Sequence, residues 1–168
     1  MGQIRLIGSR EFIDRTKEAL NLLREKDFMS YKVVIRNLGA IVDNDEDMSY
    51  FTPFKEVPVF FVNERAYRYS VTWYASAILH DAYHGELFKN AVIDGIDPIP
   101  EYSGHIPEMY CLTKQIECMK KIGAPRHEIL HAISCYDKEW WIHDEKVSKN
   151  LVNLFSVIFL GCVVSIAG

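Results

Sequence analysis

No two of the four cysteines (Cys111, Cys118, Cys135, Cys162) stand as a C-x-x-C pair. A zinc knuckle or a disulfide framework wants such spacing, so reduced thiols in a cytosolic or inward-facing chain are expected. There is also no Lys/Arg-rich stripe with interleaved aromatics. A net charge of −4 offers phosphate no concentrated basic surface, which argues against a nucleic-acid partner. Internal repeats and low-complexity tracts are absent. The opening "MGQIRLIGSREF" lacks a sustained apolar core, and position six is not Ser or Thr. Neither a targeting signal nor myristoylation is therefore expected. What is present is a globular composition, 49% hydrophobic and 25% charged over 168 residues. That length suits one domain whose core needs no covalent staples.

Ser9 before "REFIDRTKEALNLLREK" reads as a helix cap, with Phe12, Ile13, Ala19, Leu20 and Leu23 as the buried stripe. "SYKVVIRNLGAIV" reads as a second helix capped by Ser30. The acidic run "DNDEDMSYFTPF" alternates Asp43, Asp45 and Asp47, but Met48 and Phe54 stand where an EF-hand loop needs glycine and an acid. It reads as a solvated turn. Val59 to Val62 is a short β-branched and aromatic strand, with "NERAY" as a tight connection into a second extended piece, making a short hairpin. Ser70 then caps a helix containing "WYASAILHDAYHGELF". A long loop with three prolines follows, and helix resumes near Pro107, ending at Gly123. "APRHEILHAIS" starts another helix. The last 18 residues, Leu151 to Gly168, carry no charge. A bilayer span needs about 20 apolar residues, so this stretch reads either as a core element or as a membrane anchor, with Asn153, Ser156 and Ser165 making it less apolar than a typical span. The organisation expected is residues 1–150 as the working domain and 151–168 as the apolar segment, in a cytoplasmic protein or one held to a membrane by that segment.

Two histidine pairs compete for attention. His80 and His84 lie four apart on one face of a helix that is apolar nearly all round, hence buried. Two imidazoles and Asp81 placed there need partners, because burying a neutral polar group unpaired costs roughly 2–7 kcal/mol. A divalent ion held by both rings satisfies them. A catalytic zinc keeps three protein ligands and one open position for water, and the acid after the first histidine can take that water's proton. Gly85 next to the pair lets the chain turn away near a helix end. The rival, "RHEILH", matches the better-known H-E-x-x-H spacing, but His127 falls in the first turn beside Arg126. That placement suits a surface pair more than a ligand pair, although it leaves His127 and His131 open as the metal pair.

A third ligand should come from another element. Glu108, 24 residues after His84 and in the first turn of the next helix, is preferred over Glu101 and His105 in the loop, because a helix holds a ligand more rigidly. Its other reading is a first-turn glutamate favourable to the helix dipole. Tyr102, His105 and Tyr110 lie near it in sequence as donors for an oxyanion. Trp140 and Trp141 read as packing aromatics, and Cys111 and Cys118 as buried structural thiols.

The order of helices, a short hairpin, "ILHDAYHG", a loop and "PEMYCLTKQ" resembles the zincin metallopeptidases, in particular the small gluzincin-like members, over about Val57 to Gly123. The resemblance implies an α+β, predominantly helical single domain with a small sheet ahead of the metal helix. It implies zinc, or another divalent metal, on His80, His84 and Glu108, with Asp81 as general base and a peptide or protein substrate aligned by an edge strand that includes Val59 to Val62. Where the family has glutamate after the first histidine, this chain has aspartate, one methylene shorter. Asp81 then either works through a relaying water, orients an imidazole, or belongs to a metal-binding protein that has lost catalysis and acts in interaction.

Overall fold

The computed structural model describes residues 4–55 and 57–137. The apolar segment 151–168, the Trp140–Trp141 pair, Glu139 and His143 lie outside the described residues. The described chain runs β1 (Arg5–Ile7), α1 (Arg10–Lys26), α2 (Phe28–Asn37), β2 (Ala40–Asn44), β3 (Tyr50–Phe54), β4 (Val57–Asn63), α3 (Glu64–Tyr69), α4 (Val71–Asp94), α5 (Pro98–Tyr102), α6 (His105–Ile122) and α7 (Arg126–Ser134), closed by a short 3₁₀ turn at Cys135–Asp137. This is an α+β architecture, mostly helical around one small sheet. No helix among the described residues is long and apolar enough to cross a membrane.

The sheet order is β1-β2-β4-β3. β1, β2 and β4 are parallel, and β3 lies antiparallel along β4. Alternate side chains point to opposite faces. Ile41, Phe60 and Val62 join the main core with Phe12, Leu23, Tyr74 and Ile78. Ala40, Val59 and Phe61 face the other way, with the Tyr50 ring stacked on Phe61 at 5.0 Å. Val59 to Val62 therefore lies in a strand paired on both sides. The edge strand beside α4 is β3, a correction to the placement implied by family resemblance. β3 falls within the run that reads as a turn, and the turn itself is confined to the residues between β2 and β3.

Three other local expectations change. α2 is capped by Asp27, whose side chain accepts from the Ser30 backbone N–H at 3.3 Å and from the Ser30 hydroxyl at 2.6 Å. Ser30 is thus the partner of the cap and not the cap. The "AIV" that reads as the end of this helix is strand β2. "NERAY" forms α3, because the Asn63 side chain accepts from Ala66 N–H at 2.9 Å and starts a helical turn. The expected hairpin exists one strand earlier, between β3 and β4.

α4, with 24 residues, is the spine of the molecule. Ser70 caps it by accepting from Trp73 N–H at 2.9 Å, and Gly95 ends it in the left-handed region at φ 69°. It packs against α1, α2, α5 and α6. The expected chain turn at Gly85 does not occur, because the helix continues for nine residues beyond it. A Cβ at Gly85 would sit 2.6 Å from the Asn37 carbonyl oxygen. Glycine is there so that the C-terminus of α2 can press against α4.

That contact makes a prediction. Gly85→Ala gains about 1 kcal/mol of helix propensity but must push α2 away, and overpacking of this kind costs about 1–3 kcal/mol. Urea denaturation should show a net loss of stability. A midpoint that is unchanged or raised would mean that α2 yields freely.

Candidate metal centre

His80 and His84 sit one turn apart on α4, both buried, at 7% and 3% exposure. Glu108 comes from the first turn of α6, which crosses that face, and is also buried, at 5%. The three residues bring ligand atoms within 4.8 Å of one another, the one such group among the described residues. His80 Nε2 lies 3.2 Å from Glu108 Oε2, and His84 Nε2 lies 3.3 Å from Glu108 Oε1. The two Nε2 atoms are 3.0 Å apart. Ligands around a tetrahedral zinc with bonds of 2.0–2.1 Å are separated by about 3.3 Å, so the donors already stand near the spacing an ion requires.

The rings are held from behind. His84 Nδ1–H donates to the Tyr102 carbonyl at 2.7 Å, which turns Nε2 toward its neighbours. That carbonyl is delivered by α5, a five-residue helix started by the Asp97 side chain and Pro98. Phe51 of β3 stacks on the His84 ring at 6.0 Å. Gln115 lies close enough to His80 to favour its charged form, and its amide nitrogen donates to Ser76 Oγ at 3.3 Å. Ser76 in turn donates to the Trp73 carbonyl at 2.8 Å. Partners of this kind fix ring orientation around metals. A buried N,N,O donor set, with the His84 ring tethered on its far side by the Tyr102 carbonyl, fits a divalent ion, and the donor set does not by itself choose which.

The proton balance of the metal-free cluster follows from its crowding. Burial lowers the pKa of His80, outweighing the pull of Glu108. Burial opposes charge on His84 as well, but the neighbouring Cys111 and Glu108 outweigh it and hold its pKa well above the ordinary histidine value. Burial raises Glu108, yet the charge on His84 and hydrogen bonds from both rings bring it down to about 2. The metal-free cluster is thus a carboxylate facing one imidazolium and one neutral imidazole.

Asp81 is buried at 8% exposure and lines the same cleft as the triad. The cleft, about 540 Å³, runs between β3 and α4, with Phe51, Trp73, Leu112 and Tyr102 among its walls. Tyr102 is therefore at the site, and the contact it makes to the triad is through its backbone carbonyl. His105 is exposed as the first residue of α6 and is not part of the cleft lining. Tyr110 is exposed and packs edge-on against Tyr83 at 5.6 Å. Glu101 is exposed on α5. In the rival pair, His127 is exposed and Glu128 is buried, accepting from the Thr72 hydroxyl at 2.7 Å. The middle acid of "HEILH" thus ties α7 to the start of α4. His131 lines the far end of the cleft against Trp73 at 5.1 Å.

Three residues at the site were given no part in it by the sequence. Cys111, fully buried one turn after Glu108, stands beside His84 and favours its charged form. Gln115, two turns after Glu108, lies near His80 and lines the cleft. Their i+3 and i+7 spacing from Glu108 was the available signal. Phe51 had none, because its strand was hidden in an acidic turn.

No family model, curated protein or solved structure matches this chain.

Two measurements follow. Gln115→Leu should weaken metal affinity by about 10–100-fold in competition with a chromophoric chelator while leaving the urea midpoint near wild type; equal affinity would mean packing alone orients His80. Metal uptake should also release about one proton per site near neutral pH. The sign follows from the raised pKa: His84 keeps its proton in the metal-free protein until that pKa is passed, and the ion needs Nε2 bare. Affinity should therefore climb with pH over that window, which titration calorimetry in buffers of different ionisation enthalpy reads directly.

Proposed function

We propose that the protein is a zinc-dependent peptidase of zincin-like fold, acting on an extended peptide laid in the cleft between β3 and α4. The observation that carries this reading is the union of the His80–His84–Glu108 cluster, the buried Asp81 and an edge strand in one cleft. Among the described strands β3 pairs with β4 alone, so its outer edge offers backbone groups to a guest strand.

When bound, zinc supplies Lewis acidity, polarising a carbonyl and making water acidic enough to attack near neutral pH. His80, His84 and Glu108 would hold the ion, and the Tyr102 carbonyl behind His84 keeps that ring from swinging. The edge of β3 positions the peptide backbone. Asp81 accepts the proton of the attacking water and returns it to the amine nitrogen as the C–N bond breaks. Its shorter side chain demands close placement, since errors near 1 Å can cost about a hundredfold in rate. The buried seat of Asp81, one residue past the first ligand, is what supports that role.

A second reading shares the donor set. Two histidines and one carboxylate also bind iron in oxygenases, and they suit a metal protein without catalysis. The general-base position and the edge strand favour hydrolysis. Zinc-loaded protein should cleave members of a mixed peptide library, seen by mass spectrometry, and a chelator should stop it. Asp81→Asn should lower the rate by about 10²–10⁴-fold while metal content stays stoichiometric. Full zinc occupancy with no cleavage by wild type would overturn the peptidase reading in favour of the non-catalytic one.

A further inference from the structure

α1 and α2 meet at a sharp corner, with only Asp27 between them. Asp27 is buried, and its charge is answered there: it accepts from Ser30 and from the Lys121 ammonium of α6 at 3.2 Å. The two residues that open α2 are of another kind. Phe28 and Met29 are large and apolar, yet 52% and 66% exposed. The Phe28 ring leans on Tyr31 at 6.2 Å and carries the Lys32 ammonium 5.0 Å over its centre. More cations stand close by. Arg24 and Lys26 occupy the last turn of α1, and Lys120 and Lys121 the last turn of α6. Residues 24–32 and 120–121 thus hold five cations against two carboxylates, in a chain whose net charge is −4. Glu117, one turn earlier on α6, is taken up by Lys114 at 3.2 Å. No single stretch of sequence carries this surface, because it needs α6 to bring Lys121 to the corner.

Exposed apolar side chains rimmed by charge mark interaction sites. The partner here must take in two protruding apolar groups and answer several cations at once. An anionic bilayer surface does both. Its headgroup phosphates and carboxylates meet the ammonium groups, and the apolar boundary beneath them takes a phenyl ring and a thioether. Long lysine stems can lie along that boundary while their charges stay among the headgroups. A corner between two helices is convex, which suits a soft surface that closes round it. We propose that the α1–α2 corner docks the protein on anionic lipid, with Phe28 and Met29 inserted and Lys26, Lys32 and Lys121 on the headgroups. The contact is peripheral and requires no spanning segment. It stands whether or not the cleft cuts peptides.

The test floats full-length protein with vesicles of phosphatidylcholine, alone or with about one-third phosphatidylserine. Wild type should favour the anionic vesicles by at least about tenfold, and about 0.5 M salt should remove most of that preference. Lys26→Gln with Lys32→Gln should weaken anionic binding roughly 25-fold, about fivefold per charge. Phe28→Ser with Met29→Ser should weaken it at least about tenfold and leave the salt dependence in place. Both double variants should keep the wild-type urea midpoint. One that does not is replaced by Lys26→Gln or Met29→Ser alone, which should shift binding in the same direction. Equal binding to the two vesicle types, which an apolar segment elsewhere in the chain would give, overturns the proposal. So does anionic binding that either variant leaves at the wild-type level. A wild type that ignores vesicles but binds immobilised polyglutamate through Lys26 and Lys32 also overturns it, and makes an acidic protein surface the partner. Zinc content should match wild type in every variant, so failure here leaves the metal centre and the peptidase reading untouched.

Discussion

The molecule depends on one constraint: α4 is buried on nearly every side and yet carries three ionisable side chains within five residues. A carboxylate or imidazolium moved out of water without a partner costs several kcal/mol, so the surroundings of α4 must answer each one. The neighbouring elements are arranged to do so. α6 begins where its first turn can bring Glu108 over both imidazoles. α5, only five residues long, places the Tyr102 carbonyl against His84. The chain between α4 and α6 therefore acts less as a connector than as the back wall of the cluster.

How much of this was legible in the sequence varies by the kind of signal. The side-chain caps at Ser9 and Ser70 read correctly, as did the stop at Gly123, whereas those at Asp27 and Asn63 did not. The meeting of His80, His84 and Glu108 was also legible, because two buried imidazoles four residues apart call for a partner and the first turn of the next helix offers a carboxylate. Strands fared worse. β2 is a short apolar run directly after a helix, and periodicity cannot separate such a run from another helical turn. β3 contains Pro53 and follows an acidic stretch, both of which argue for a turn. Proline is tolerated there because β3 is an edge strand, a fact that exists only once the sheet is assembled. β3 pairs only with β4, the strand directly after it, and becomes an edge because the far earlier β2 takes the other side of β4.

Long-range contacts also explain why the roles of Cys111 and Gln115 stayed hidden. Each is an ordinary member of an amphipathic helix until α6 is laid across α4. Cys111 then touches His84, and burial raises its thiol pKa even though His84 pulls it down.

Small residues on α4 stand on both sides of the histidines. Gly85 removes a side chain so that the backbone of α2 can approach, and this closes the helix against the core just past His84. Ala77, about two turns earlier, packs against the main core and also lines the cleft just before His80. A larger residue at Gly85 would push α2 away and tilt the helix that carries both imidazoles. The position of the rings in the cleft is therefore set by a backbone contact made outside it, one residue past His84.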